Sequence, residues 1–276
     1  MNLNIVKLDH EQKIRLADIS PSDTGDVDKT AAAKEFAELG AKLCDLQEWL
    51  YAAQRNSVLM VLQGMDTSGK DGTIARVMSN INPQGCAVAS FKVPTEQEAS
   101  HDFLWRVHAR TPSRGMLHIF NRSHYEDVLI TRVHHMIDKA ACQERYQRIK
   151  QFEELLADDN TIILKFFLHI SKKEQEERLL AREQDQEKAW KLSPADWKER
   201  AFWDEYTEAY EDAIGATSAK HAPWYIVPAD HKWYRNVIIA KCLVETLERY
   251  KDDWQVTLKE LGEQRLKELA DMRAGK

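Results

Sequence analysis

Residues 64–70, Gly64-Met65-Asp66-Thr67-Ser68-Gly69-Lys70, combine two residue types that hold phosphate for separate physical reasons. Glycines let backbone N–H groups curl around phosphate oxygens, and a lysine adds a point charge. The spacing G-x-x-x-x-G-K means little unless a strand precedes it and a helix follows. Both flanks fit: Val58 to Leu62 is a continuous apolar run of the buried-strand kind, and the residues after Lys70 read as helical. Gly64, Thr67, Ser68, Gly69, Lys70, Asp71, Gly72 and Thr73 are therefore expected around phosphate. One position departs from the motif. The residue after the lysine, usually a Ser or Thr that meets Mg²⁺, is Asp71, and Thr73 comes two residues later. Asp66 is then the carboxylate placed to meet a magnesium ion, to shape the loop as an Asx-turn, or both.

A second polar cluster follows the apolar run Met116 to Phe120: Asn121, Arg122, Glu126 and Asp127. The carboxyl end of a parallel strand is where α/β sheets bind ligands, and in P-loop enzymes it supplies an acid to magnesium. Asn121 holds that position here, which leaves Glu126 or Asp127 to provide the carboxylate. Arg178 and Arg182 stand at i, i+4 on a helix opened by the capping box Ser171-Lys172-Lys173-Glu174. Two readings of that face stay open, a solvated surface paired with Glu174 or a pair of cations meeting an anion. Trp203, Tyr206 and Tyr210 recur at helical spacing and are expected to pack against the body. His118 and His134-His135 lack metal-ligand spacing and are expected to be structural or exposed.

These residues need a scaffold, and the patterning describes an α/β fold. Five short apolar runs, Val58 to Leu62, Ala87 to Val93, Met116 to Phe120, Ile162 to Ile170 and Trp224 to Val227, alternate with helical stretches. Such alternation implies βαβ units and a parallel sheet with helices on both faces. Helices are expected from Lys29 to about Gln54, from Glu96 to Arg110 and from Asp138 to Leu156. Another is expected to open at Ser193-Pro194. Residues 1–30 are poorly patterned, with a loop at Ser20 to Asp26. One domain is expected over 1–276: an N-terminal helix at 30–56, a core at 57–170, a charged helical excursion at 171–219, and a last strand with C-terminal helices at 220–276.

Lys and Arg number 39 against 45 Asp and Glu, a net charge of −6, so a polyanion could be held only in a local basic groove. Nucleic acid is therefore not expected as a partner. No apolar run approaches the ~18 residues of a membrane span, and the first twenty residues lack a signal-peptide apolar stretch. Cys44, Cys86, Cys142 and Cys242 are scattered, without a C-x-x-C pair, as expected of reduced thiols in a cytoplasmic protein.

Six segments together make a resemblance specific: GMDTSGKDGT at the loop, Phe91 to Thr95 (FKVPT), Phe120 to Val128 (FNRSHYEDV), Leu164 to Ser171 (LKFFLHIS), Phe202 to Tyr206 (FWDEY) and Pro223 to Tyr225 (PWY). They run in order from about residue 57 to 245 and resemble the second polyphosphate kinase family. The resemblance implies a three-layer P-loop kinase fold, with a five-stranded parallel sheet, helices on both faces and a helical lid. It implies transfer of a terminal phosphoryl group between inorganic polyphosphate and adenine or guanine nucleotides, with Mg²⁺, by a dimer or tetramer. Asp66 and Lys70 would form the catalytic pair, Arg122 would clamp the phosphoryl group, and Arg178 and Arg182 would close on it from the lid. Asp66, Asn121 and Asp127 would be the metal residues, and Phe91, Trp105, Asn121, Glu126 and Asp127 would surround the nucleotide. Lys92, Lys165, Arg200 and Lys232 are further basic candidates. The family motif often begins with Asp where this chain has Asn121, which resembles the branch that accepts both nucleoside mono- and diphosphates. Two alternatives remain on the residues alone, an ATP-dependent nucleotide kinase of thymidylate-kinase-like fold and a nucleotide-binding switch without turnover.

Overall fold

The computed structural model describes residues 3–185 and 194–275. The strands are β1 (Val6–Leu8), β2 (Ser57–Gln63), β3 (Cys86–Ser90), β4 (Leu117–Asn121), β5 (Thr161–His169) and β6 (Trp224–Pro228). Up to the end of β5 the helices are α1 (Lys29–Ala53), α2 (Lys70–Val77), α3 (Glu96–Ala99), α4 (Trp105–His108), α5 (Ile130–Val133) and α6 (Lys139–Asp158). Beyond it come α7 (Lys172–Gln184), α8 (Pro194–Glu199), α9 (Trp203–Thr217), α10 (Lys232–Leu247) and α11 (Lys251–Arg273).

The sheet order is β1-β6-β5-β2-β4-β3, and all pairings among β2 to β6 are parallel. These are the five expected strands. The sixth, β1, adds antiparallel to β6, with Val6 opposite Ile226 and Leu8 opposite Trp224. Three residues in a polar stretch carry too little pattern to announce themselves as a strand. Every residue of β2 is buried, as a central parallel strand flanked by helices must be. Its side chains alternate between two cores. Val58, Met60 and Leu62 join Leu43, Leu50, Ile238 and Leu243 on the α1/α10 face. Leu59 and Val61 join Tyr146, Ile149 and Ile214 on the α6/α9 face. Sheet and two helical layers make the three-layer α/β architecture.

Local chemistry sets the helix ends. Asp28 accepts from the N–H groups of Thr30 and Ala31 and starts α1, while Asp138 accepts from Ala141 N and starts α6. The helix expected from Glu96 to Arg110 is instead two single turns, α3 and α4. Ser100 Oγ donates back to Gln97 O, and Asp102 accepts from Leu104 N, so side chains take the bonds a continuous helix would need. Ser193, expected to open α8, lies outside the described residues. Among the described residues no helix is long and apolar enough to cross a membrane. The four cysteines are free thiols.

Candidate active site

β2 lies between β5 and β4, so its carboxyl end opens at the point where the chain switches direction across the sheet. The loop Gly64 to Gly69 leaves the sheet there and α2 begins at Lys70. Gly64 has φ +151°, and a Cβ on it would stand 2.8 Å from Leu168 O and from Ser68 Oγ. Gly69 has φ +103°, and a Cβ there would collide with the Arg235 guanidinium. Both glycines are thus required by close approach and by backbone shape. Lys70 Nζ is folded into the loop and donates to Gly64 O (2.7 Å) and Met65 O (3.2 Å). Burial, and then the neighbouring Arg122 charge, pull its ammonium down to about 8. Thr67 Oγ1, Ser68 Oγ and Thr73 Oγ1 are buried hydroxyls without a hydrogen-bond partner. Thr67 and Ser68 belong to the loop itself, and Thr73 stands one turn into α2.

The end of β4 faces this loop. Arg122 Nη2 donates to Asp66 Oδ1 at 2.7 Å, and Arg122 Nη1 lies 4.0 Å from Glu126. Asn121 Nδ2 donates to Asp71 Oδ1 at 2.8 Å. Arg122 has φ +62°, a left-handed conformation uncommon for a residue with a side chain. Burial pulls its guanidinium down, but Glu126 and Asp66 outweigh that and the net direction is upward. Burial raises the Glu126 carboxyl despite Arg122 and Lys70 nearby.

A cavity of about 250 Å³ opens beside these groups. Asp66, Arg122 and Glu126 form its floor, and Gln175, Arg200, Trp203, Tyr206 and Tyr210 are among its walls. The aromatic stripe on α9 therefore serves both sides: buried Tyr210 and half-buried Trp203 and Tyr206 pack against the core and also line the cavity. Gln175 Nε2 donates to Asp66 O, and its Oε1 accepts from Arg200 Nη1 at 2.9 Å, so α7 is tied to the loop. Gln175 shares the face of Ser171, Arg178 and Arg182, a spacing that could have flagged it.

Several expected residues sit elsewhere. Arg178 does not point at the cavity. Its Nε donates to Glu174 (2.7 Å), Nη1 to Thr67 O and Ser68 O, and Nη2 to Ala229 O (2.7 Å) and Asp230 O. It fastens the back of the loop to the segment after β6. Arg182 lies 3.6 Å from Asp196, on α8. Asp127 turns away from the loop towards Arg106 (3.6 Å) and Arg145 (3.9 Å), because successive residues of a tight helical turn face different sides. Glu126 keeps the loop side. Phe91 is a core residue, edge-on to Phe120 at 4.9 Å, and Trp105 stacks on His101 at 4.1 Å away from the cavity walls. Lys92 and Lys232 are exposed. Lys165 is fully buried against Glu153 at 2.6 Å and cannot meet an anion from solvent. His134 pairs with Glu199 at 3.0 Å, and His118 bonds Arg110 O, both structural contacts.

Arg235 had no motif to announce it. Its Nη1 reaches Ser68 O at 3.2 Å beside Arg178, and burial pulls its guanidinium down to about 10. The available signal was an arginine on the apolar face that α10 presents through Ile238, Ile239 and Cys242.

Comparison with known proteins agrees with this geometry. The family model for polyphosphate kinase 2 (PPK2) matches residues 26–255. The chain is 52% identical over 238 residues to an AMP/ADP-polyphosphate phosphotransferase of Meiothermus ruber, covering 86% of this chain and 89% of that protein. It is 46% identical over 244 residues to an ADP-polyphosphate phosphotransferase of Rhodopseudomonas palustris, covering 84% and 83%. The crystal structure of polyphosphate kinase 2 from Arthrobacter aurescens TC1 superposes with a TM-score of 0.84 at 41% identity, over 87% of each chain. With the loop, the strand-end cluster and the five parallel strands β2 to β6 all inside the matched span, the chain belongs to the polyphosphate kinase 2 family.

Proposed function

We propose that this chain transfers the terminal phosphoryl group of inorganic polyphosphate to ADP and to AMP, and catalyses the reverse transfer with the same groups. The observation that carries the reading is the convergence of Lys70, Arg122 and Asp66 at the ends of β2 and β4 beside an open cavity. The activities named for the two relatives, at 52% and 46% identity, support the donor and the acceptors.

In the transfer, an oxygen of the acceptor's terminal phosphate bonds to the end phosphorus of polyphosphate. The bond from that phosphorus to its bridging oxygen breaks, and the charge stays on the shortened chain. Such reactions ask for alignment and cations more than for covalent help. The loop N–H groups and Lys70 hold phosphate oxygens, and Arg122 faces the charge that builds on the transferring group. Trp203 and Tyr206 offer apolar walls to the nucleotide.

Magnesium fits the donor set as the cofactor. It takes one or two carboxylates and completes its shell with phosphate oxygens and water. Asp66 and Asp71 are the carboxylates beside the loop, with Asn121 held against Asp71. Among the described residues no three His, Cys, Asp or Glu converge into an all-protein cage. When bound, the ion would offset charge shared between donor and acceptor phosphates. The test is ATP formation from ADP, Mg²⁺ and polyphosphate, and ADP formation from AMP, each against the same mixture without polyphosphate.

A further inference from the structure

A second set of charges lies behind the cavity, out of reach of any substrate. Lys165, in the middle of β5, and Glu153, on α6, are 0% and 1% exposed and 2.6 Å apart. Lys165 Nζ also donates to Tyr125 Oη (3.0 Å) and to Thr217 O (2.8 Å), so its three protons are all used. Tyr125 Oη donates to Glu153 Oε1 at 2.9 Å, and His124 Nε2 lies 3.2 Å from the same oxygen. Trp224 Nε1 and Tyr125 Oη both approach Thr217 Oγ1.

An ion pair this deep is a poor source of stability, because removing both charges from water offsets most of their attraction. Well-packed apolar residues of similar volume would hold the fold as well. The network acts on the turn His124–Val128, whose first two residues it grips. That turn follows Arg122 after the single residue Ser123, which caps it, and Arg122 stands at φ +62°, a conformation that persists only where the surroundings impose it. On the near side the same segment is held by Arg122 N donating to Leu62 O at 3.0 Å.

We infer that the buried Lys165–Glu153–Tyr125 network holds the turn after β4 so that Arg122 stays left-handed and faces Asp66. Lys165, Glu153 and Tyr125 are positioning residues for phosphoryl transfer, not phosphate ligands. The inference rests on the reading of Arg122 as the residue that meets the transferring group.

The test compares Tyr125→Phe, the double variant Lys165→Met/Glu153→Leu, and Arg122→Ala, each by kcat, by KM for polyphosphate and ADP, and by thermal unfolding. Tyr125→Phe should lower kcat about tenfold or more, as misplacing a reacting group does, with both KM values near wild type. The double variant should unfold at or above the wild-type temperature and still show the kcat loss. Wild-type kcat in the double variant, or in Tyr125→Phe, would make the network purely structural and overturn the inference while Arg122→Ala remains inactive. A rise in KM at unchanged kcat overturns it equally. Near-normal turnover in Arg122→Ala would remove the reading of Arg122 and the inference with it. If the double variant does not fold, Tyr125→Phe decides by the same criterion.

Discussion

Arg122 Nη2 and Asp66 Oδ1 are 2.7 Å apart, joining the loop after β2 to the turn after β4 across 56 positions of sequence. Each neutralises the other in the absence of phosphate, so an arriving polyanion must share or break this pair. Asp66→Asn frees Arg122 for phosphate but removes the carboxylate proposed for Mg²⁺. It should lower kcat about 100-fold or more, while the KM for polyphosphate stays level or falls. Steady-state kinetics at several Mg²⁺ concentrations check it, and rescue by high Mg²⁺ should be incomplete.

Lys70 makes the loop sensitive to pH. Burial, then Arg122, lowers its ammonium from 10.5 to about 8. Below pH 8 Lys70 carries the charge proposed to meet phosphate, and above it that charge is progressively lost. The KM for polyphosphate should therefore climb as pH rises past about 8, and binding there should take up a proton, seen as buffer-dependent heat in calorimetry. For folding the sign is opposite. Between about 8 and 10.5 the unfolded chain binds a proton at Lys70 that the folded chain does not, so this group's contribution to stability increases through that window. Lys70→Met should abolish turnover and raise stability by about 1–3 kcal/mol.

Arg178 and Arg182, alike in sequence, should behave differently. Arg178 uses all its donors on Glu174 and four backbone carbonyls. Arg178→Ala strips its donors from those carbonyls, of which Ser68 O keeps Arg235, and should cost about 3–5 kcal/mol, read as a lower denaturant midpoint together with weaker nucleotide binding. Arg182, 26% exposed and 3.6 Å from Asp196, should cost under about 1 kcal/mol when replaced by Ala.

That contrast shows where sequence stops being legible. The parallel strands stand out because strands in a covered sheet are near-continuous apolar runs, clearest in the fully buried β2, and the loop stands out because its backbone shape demands glycine at fixed offsets. The helix pair Arg178/Arg182 did not separate, since i, i+4 spacing reports a shared face and not what that face meets. Asp127 and Glu126 were equivalent as letters; only the turn geometry sends one to Arg106 and the other to the loop. Phe91 packs into the core, and the cavity walls fall to Trp203 and Tyr206, whose spacing fits core packing equally well. Lys165 sits inside the apolar run Ile162 to Ile170, which signals burial, but its partner Glu153 comes from another element and cannot be read beside it.

Whether Asn121 sets the choice of acceptor is open to a direct test. Its amide donates to Asp71 at 2.8 Å, so Asn121→Asp would set two carboxylates against each other. The variant should depend more steeply on Mg²⁺ and should change the ratio of AMP to ADP phosphorylation. Assaying both acceptors with both proteins measures it, and an unchanged ratio would detach Asn121 from acceptor choice.

The most direct measurement is the initial rate of ATP formation from ADP and Mg²⁺ with and without polyphosphate, for the wild type and Arg122→Ala. ATP should form only when polyphosphate is present, and at least about 100-fold more slowly in the variant. No ATP from polyphosphate, or a wild-type rate in Arg122→Ala, would contradict the proposed function.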